Sequence, residues 1–358
     1  DLLPVGLMRS AAEGFLSKAS PQELNYGERQ GDAAFREALA GLLSTEYGAR
    51  VEANSLFVTA GNSQALDFVC ALFTRPGDTV IVEEPSYFLA FRIFEDHGLN
   101  ITPVPLDGDG MDIDALENVL KQTKPALLYT IPSFQNPCGQ SMSTERRQRL
   151  VDLSREHDFV IAADEVYQML WYRDPPPPAL GTLADRGNIL SLGSFSKILA
   201  PGLRLGWIQT SPPLMERLLD SGVINSGGSF NHFTSLVVRE AIEQGRQRAF
   251  LGQLRETYTR RVEVMDEALQ MHFNGRARWQ KPCGGYFFWL EFDEGIDTAA
   301  MRAAADRFQT GFQPGQNSST RGALKNCLRL SFANYGEDEI REGITRLARL
   351  FDEHTAMA

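Results

Sequence analysis

The strongest constraint on the fold is an alternation of short apolar runs with amphipathic segments between residues 33 and 210. Runs such as TVIVEE (79–84) and FVIAADE (159–165) are mostly apolar, whereas TERRQRLVDLSREHD (144–158) is a charged amphipathic helix by its spacing. Strands that are buried on both faces appear as continuous apolar runs, and helices connect such strands when they are parallel. The alternation therefore predicts an α/β fold with a mostly parallel sheet covered by helices.

The rest of this region follows the same pattern. Its apolar runs predict strands at 56–60, 100–106, 126–132, 188–194 and 205–210. Its amphipathic stretches predict helices at 33–46, 63–73, 87–98 and 112–122. Ligands of open parallel sheets bind beyond the carboxyl ends of the strands, so the residues that follow these strands are the candidates for a functional site.

The whole chain has 358 residues, which is too long for one ordinary core, so two domains are expected. The part after about residue 213 is mainly helical. A smaller α+β domain is predicted from strands at 284–292 and 327–333 and helices at 246–270, 297–309 and 337–354. We predict an N-terminal segment associated with the small domain, a large domain and a small C-terminal domain, at 1–30, 31–250 and 251–358. The loops 174–178 and 313–320 are predicted to be the least structured stretches.

Charge and cysteine usage exclude several classes of function. The chain has 35 Lys and Arg against 46 Asp and Glu, a net charge of −11, which argues against a nucleic-acid-binding surface. No apolar run is long enough to span a membrane, and no signal-peptide pattern is present. The four cysteines and five histidines show no spacing typical of a metal site or a disulfide framework. A cytoplasmic protein without a metal is expected, and the first residue, Asp1, leaves open whether a segment precedes it.

The segment GSFSKILAPGLRLGW (193–207) carries the strongest chemical signal. It places Lys197 just after a predicted strand, with hydroxyls at Ser194 and Ser196 and a guanidinium at Arg204. A deprotonated lysine forms a Schiff base with a carbonyl, and arginine pairs bidentately with phosphate oxygens. A lone loop lysine is ordinarily a solvated residue, but this context predicts a site for an aldehyde that carries a phosphate.

Two further strand ends offer groups for an aromatic ring. Asp164 follows five apolar residues, and a buried carboxylate there needs a cationic partner such as a protonated pyridine nitrogen. A helix N-cap is the alternative role for this aspartate. Tyr167 and Asn136, the latter in IPSFQNPCG, are placed to contact a phenolic oxygen of the same ring. Asn136 also fits a turn of the Asn-Pro-x-Gly type.

Three other segments contribute candidates. TAGNSQALDFV (59–69) is a turn that enters a helix, and free N–H groups at a helix start bind phosphate. Tyr87 follows a strand and can stack on a flat ring, although packing is the commoner role of such an aromatic residue. In CLRLSFA (327–333) Arg329 points opposite to its apolar neighbours, either to the surface or toward a substrate carboxylate.

The order NPCG, DEVY, SFSK, GLRLGW and RLSFA is highly specific. With NYGERQGDAAFREAL (25–39) at one end and LRLSFAN (328–334) at the other, the chain resembles the class I/II aminotransferases of fold type I, which depend on pyridoxal 5′-phosphate (PLP). It is most similar to the branch of 2-aminoadipate, kynurenine and aromatic aminotransferases, together with the aminotransferase-like domains of MocR-type regulators. In this family a glycine-bearing segment usually precedes the stretch that begins at Asp1.

The resemblance implies roles for twelve residues. Lys197 is the Schiff-base lysine, and the catalytic residues are Lys197, Asp164 and Tyr167. The implied cofactor ligands are Lys197, Ser63, Gln64, Tyr87, Asn136, Asp164, Tyr167, Ser194, Ser196, Arg204 and Tyr26. The implied substrate ligands are Arg329, for the α-carboxylate, and Asn136. Tyr26 in this family reaches the phosphate of the neighbouring subunit, which implies a homodimer with shared active sites.

The expected reaction moves an amino group between an L-amino acid and a 2-oxo acid by a ping-pong mechanism. Two alternatives stay open from the residues. The same cofactor motifs serve a C–S lyase or a decarboxylase, because the choice of reaction depends on which bond stands perpendicular to the ring. An effector domain of a MocR-type transcription regulator is the second alternative.

Overall fold

The computed structural model describes residues 2–357, and its centre is an eight-stranded sheet with the order β1-β8-β7-β6-β5-β2-β3-β4. Strands β2, β3, β5, β6 and β7 are parallel to their neighbours within this group, whereas β1, β4 and β8 pair antiparallel. The strands are β1 (Leu56–Thr59), β2 (Thr79–Glu84), β3 (Asn100–Asp107), β4 (Gly110–Met111), β5 (Leu127–Thr130), β6 (Val160–Asp164), β7 (Ile189–Ser194) and β8 (Gly206–Thr210).

Helices cover both faces of this sheet. Alternate residues of one strand enter different cores: Val160 and Ala162 face one core, and Ile161 and Ala163 face the other. The helices of this part are α1 (Val5–Leu16), α2 (Ala33–Tyr47), α3 (Asn62–Phe73), α4 (Phe88–Asp96), α5 (Ile113–Leu120), α6 (Thr144–Glu156), α7 (Pro212–Leu219), α8 (Gly222–Gly227) and α9 (His232–Glu243). The predicted α/β fold with a mostly parallel sheet is confirmed.

A second, four-stranded antiparallel sheet has the order β11-β12-β10-β9. Its strands are β9 (Ala277–Arg278), β10 (Phe287–Phe292), β11 (Gln313–Pro314) and β12 (Cys327–Ser331). Its helices are α10 (Arg246–Phe273), α11 (Thr298–Ala304) and α12 (Glu337–Met357). Alternate residues of β10 are buried, as expected for a sheet with one face on a core.

Two features of the structure concern the predicted domain bounds. The boundary at residue 250 falls within the 28-residue helix α10, so no linker separates the two parts there. The N-terminal helix α1 packs through Ala11 and Phe15 against Leu236 and Val237 of α9. That contact joins the predicted N-terminal segment to a helix of the predicted large domain. Asp1 lies outside the described residues. The division into domains stays a prediction.

The segment 313–320 is more ordered than the sequence analysis predicted. Gln313 and Pro314 pair with β12, and a 3₁₀ turn follows. The buried carboxylate of Glu84, at the end of β2, accepts hydrogen bonds from the Ser319 hydroxyl (2.5 Å) and the Thr320 N–H (3.1 Å). The prediction was wrong because the polar residues of this segment bind a carboxylate on another element instead of water.

Candidate active site

A cavity of about 380 Å³ lies beyond the carboxyl ends of the parallel strands. Ten of the twelve predicted site residues line it: Ser63, Tyr87, Asn136, Asp164, Tyr167, Ser194, Ser196, Lys197, Arg204 and Arg329. They come from six separate stretches of the sequence. The parallel sheet brings together the residues that end or follow its strands, because parallel strands end at one edge.

The other two predicted residues lie elsewhere. The Gln64 side chain accepts a hydrogen bond from the Ala60 N–H (3.0 Å), so its amide stabilises the turn before α3 and is absent from the cavity wall. Tyr26 is 83% exposed and also lies outside this wall.

Lys197 follows β7, and its amine lies 5.3 Å from the ring centroid of Tyr286. The Tyr286 hydroxyl donates to the Lys197 carbonyl oxygen at 3.0 Å, which fixes the backbone of the lysine. Burial lowers the pKa of the lysine amine, Asp164 opposes this shift, and the positive charge of Arg329 adds to it. A neutral amine, the form that attacks a carbonyl, is therefore more available than in an ordinary lysine.

Asp164 ends β6 and is only 5% exposed. Its Oδ2 accepts a hydrogen bond from the Tyr129 hydroxyl at 2.7 Å. Burial raises the pKa of this carboxyl to about 6, against the hydrogen bond from Tyr129 and the positive charge of Lys197, which lower it. A carboxylate in such a place gains stability from a cation that enters the cavity.

Arg329 on β12, a strand of the four-stranded sheet, lines the cavity. Its Nη1 donates to Oδ1 of Asn136 at 2.7 Å, and its guanidinium carbon lies 4.0 Å from the ring centroid of Phe287. This contact joins two residues that are 193 positions apart in the sequence. Since the Asn136 oxygen is engaged by Arg329, its amide N–H groups remain as donors for an oxygen in the cavity.

A cradle for an anion lies at the start of α3. Its N-cap, Gly61, makes no side-chain cap to the first-turn N–H groups, which point with the helix dipole toward the cavity side. A Cβ on Gly61 would lie 2.8 Å from the Arg204 guanidinium, so this glycine leaves room for the arginine beside the helix start. The Ser194 hydroxyl donates to that of Ser196 at 2.8 Å on the same wall.

Aromatic side chains form the remaining walls. Tyr167 is 4% exposed, and its ring meets those of Tyr286 (5.5 Å) and Phe287 (6.0 Å) edge to face. Tyr87 precedes α4, and burial raises its phenol pKa, with the charge of Asp164 adding to the shift. Burial also raises the phenol pKa of Tyr167, so both phenols stay protonated near neutral pH and are able to donate a hydrogen bond.

These groups fit PLP. The cavity combines a lysine amine, a buried carboxylate, aromatic walls, and a helix N-terminus with an arginine beside it. The Oδ1 atom of Asn62, at the cavity wall, is buried and lacks a hydrogen-bond partner among residues 2–357. A ligand with a phosphate, an aldehyde and a protonatable aromatic nitrogen matches these groups one by one.

The sequence analysis missed Tyr129, Tyr286 and Phe287. Tyr129 lies within the apolar run ALLYTIP. A hydroxyl in a buried strand needs a hydrogen-bond partner, and this was the signal that could have identified Tyr129. Tyr286 and Phe287 follow Gly284 and Gly285 at the start of β10, where the sequence offers only an aromatic run.

Two kinds of feature are absent from the described part of the chain. Residues 2–357 contain no group of three or more His, Cys, Asp or Glu side chains placed to bind a metal ion. No helix within the same residues is long and apolar enough to cross a membrane.

Comparison with known proteins places these features in a family. The model of the aminotransferases of class I and II matches residues 4–347. The chain is 34% identical to aromatic-amino-acid aminotransferase 1 of Thermococcus litoralis, over 99% of this chain and 86% of that protein.

Solved structures give the same result. The multiple substrate aminotransferase of Thermococcus profundus has a TM-score of 0.91 at 33% identity, covering 100% of this chain and 90% of that one. LysN, the alpha-aminoadipate aminotransferase of Thermus thermophilus, was solved with N-(5′-phosphopyridoxyl)-L-leucine and has a TM-score of 0.90 at 31% identity, with the same coverage. The chain therefore belongs to the aminotransferases of class I and II, and it is a PLP-dependent aminotransferase.

Proposed function

We propose that the cavity transfers the amino group of an L-amino acid to a 2-oxo acid, with Lys197 moving the proton, Asp164 pairing with the cofactor ring and Arg329 binding the substrate carboxylate. The observation that carries this proposal is that the Lys197 amine, the Asp164 carboxylate and the Arg329 guanidinium line one cavity. When bound, PLP supplies an aldehyde that condenses with amines and a ring that withdraws electrons from the carbon beside the amine nitrogen.

Lys197 acts first as the group that holds the cofactor and then as a base. Because its amine would be displaced when an amino acid binds, it would be free to take the α-proton of the substrate and to deliver it to the carbon of the cofactor that carried the aldehyde. Burial lowers the pKa of this amine, which favours the neutral form that takes the proton. The Tyr286 hydrogen bond to the lysine carbonyl oxygen holds the backbone of Lys197 at this wall of the cavity.

Arg329 and Asn136 orient the substrate. A planar guanidinium binds a carboxylate bidentately, and stacking on Phe287 fixes the plane of this guanidinium. Ser63, Ser194, Ser196 and Arg204 are proposed to bind the phosphate, and Tyr167 and Asn136 to donate to the ring oxygen. Tyr87 is proposed to stack on the ring.

A half-reaction tests this function. We expect the PLP-loaded enzyme, incubated with an L-amino acid alone, to release one equivalent of 2-oxo acid per site and no ammonia. Addition of a second 2-oxo acid is expected to restore the starting visible spectrum and to release a new amino acid, as a ping-pong reaction requires. Release of ammonia without any added acceptor would contradict transfer and favour the lyase reaction.

We also propose a homodimer. Leu24 (64% exposed) and Tyr26 (83%) precede Gly27, which packs against His232 and Gly228. Helices α8 and α9, which flank Gly228, carry the exposed side chains of Val223 (52%) and Phe233 (48%). Clustered exposed apolar residues typically mark an interface. Tyr26 would then reach the phosphate site of the partner subunit. Light scattering of the PLP-loaded protein is expected to give twice the mass of one chain, and a monomer would contradict this proposal.

A cytoplasmic location is proposed from the cysteines. All four are free in the structure, and Cys70 and Cys327 are buried, as expected in a reducing compartment. Alkylation of the protein in freshly lysed cells is expected to find every thiol reduced.

A further inference from the structure

We propose that Tyr129 is a positioning residue for the reaction, because its buried hydroxyl holds the Asp164 carboxylate in the orientation and charge state that a protonated ring nitrogen requires. This inference rests on the proposed role of Asp164. Tyr129 is absent from the cavity wall, so it acts through the aspartate and not by touching the substrate.

The register of the sheet explains the contact. Tyr129 on β5 pairs with Ala162 on β6, and Ala162 lies on the same face of the sheet as Asp164, two residues further on. The phenol extends past the small side chain of Ala162 toward the end of β6. Its hydroxyl therefore meets the Asp164 Oδ2 at 2.7 Å, beneath the floor of the cavity.

Packing fixes the donor. Tyr129 is fully buried, and its ring meets that of Phe94 edge to face at 5.6 Å. Burial raises the pKa of this phenol well above its ordinary value, and the charge of Asp164 adds to the shift. The hydroxyl is therefore protonated near neutral pH and donates to the Asp164 carboxylate.

The hydrogen bond affects the two carboxylate oxygens differently. Oδ2 is engaged by Tyr129, whereas Oδ1 receives a long hydrogen bond, 3.4 Å, from the Val166 N–H and keeps acceptor capacity for a cation. A donor to the charged form opposes the burial that raises the pKa of Asp164. Tyr129 thus favours an ionised Asp164 with one oxygen available to the cavity.

Other titratable groups near Asp164 act in different directions. The positive charge of Lys197 lowers the Asp164 pKa, whereas Tyr87, Tyr167 and Glu83 have pKa values that the charge of Asp164 raises. The Val166 N–H and the Asn62 side chain also donate hydrogen bonds to Asp164 and lower its pKa. The hydrogen bond from Tyr129 has the largest lowering effect among these groups.

Substitution Tyr129→Phe in the PLP-loaded enzyme tests the inference. Loss of a hydrogen bond to a charged group is expected to lower kcat about tenfold and to weaken PLP binding in equilibrium dialysis by a similar factor. KM for the amino donor is expected to be unchanged, because Arg329 and Asn136 are intact. Phe keeps the ring that packs on Phe94, and a thermal unfolding curve checks that the variant is folded.

The matched control is Tyr47→Phe. Tyr47 is 5% exposed, and its hydroxyl has no hydrogen-bond partner within residues 2–357, so its loss removes a buried phenolic oxygen without affecting Asp164. This variant is expected to keep the wild-type kcat and PLP affinity. If it lost both as Tyr129→Phe does, the effect would belong to buried tyrosines in general and the inference would be overturned.

A double-mutant cycle with Asp164→Ala separates the inference from the function on which it rests. We expect Asp164→Ala to weaken PLP binding and Tyr129→Phe to add nothing in that background. Equal losses from Tyr129→Phe in both backgrounds, or wild-type PLP affinity in Tyr129→Phe alone, would overturn the role of Tyr129 and leave the proposed function intact. Wild-type PLP affinity in Asp164→Ala would overturn the proposed role of Asp164 itself.

Discussion

Substitution Lys197→Ala is expected to lower kcat/KM by about 10⁴-fold or more, because one side chain supplies both the covalent attachment and the proton transfer. The covalent bond to PLP is lost as well. Borohydride reduction followed by mass spectrometry is expected to find the cofactor on the peptide of Lys197 in the wild type and on no peptide in the variant. The structure supports this choice because the Lys197 amine lies in the wall of the cavity that also holds Asp164 and Arg329.

A matched control and a rescue make the result specific. Lys281→Ala removes a lysine that pairs with Glu263 on α10, outside the cavity, and it is expected to keep full activity. Added methylamine is expected to restore part of the lost rate in Lys197→Ala, because a small amine can enter the space of the missing side chain and take the proton. A reduced adduct on a lysine other than Lys197 in the wild type would contradict the assignment.

The parts of the site that the sequence predicts are those that follow a strand end. Asp164 ends β6, and Lys197 comes three residues after β7. Since the fold class fixes where parallel strands end, a chemically unusual residue at such a position is found from the sequence alone. Arg204 is predictable for a related reason, because it lies in the same short segment as Lys197.

The parts that the sequence does not predict depend on register and packing. The contact of Tyr129 with Asp164 follows from the pairing of Tyr129 with Ala162, and a shift by one residue would turn the phenol to the other face. The hydrogen-bond partners of Glu84 were equally impossible to predict from the sequence, because Ser319 and Thr320 lie 235 and 236 positions away in a segment with no periodic pattern. Gln64 is a residue that the sequence analysis placed at the cofactor, whereas its side-chain oxygen accepts a hydrogen bond from the Ala60 N–H in the turn before α3.

Arg329 is the substrate contact on which amino-acid recognition is expected to depend. Substitution Arg329→Lys keeps the positive charge but loses the planar pair of donors, so a carboxylate in the cavity loses its bidentate partner. We expect KM for the amino acid to rise by about 100-fold, which corresponds to the loss of a charged, largely desolvated hydrogen-bonded pair. Single-turnover reaction with an L-amino acid, monitored by the change in cofactor absorbance, measures this effect.

The decisive comparison uses a substrate without the carboxylate. The substrate for this comparison is the amine that results when the amino acid loses its carboxylate. If Arg329 binds the carboxylate, the wild type reacts slowly with this amine, and Arg329→Lys reacts with it no more slowly than the wild type does. Arg255→Lys is the matched control, because its guanidinium stacks on Trp171 at 4.1 Å much as Arg329 stacks on Phe287 at 4.0 Å, outside the cavity. An equal loss with amine and amino acid in Arg329→Lys would assign the arginine to the support of Asn136, to which it donates at 2.7 Å, instead of to the substrate.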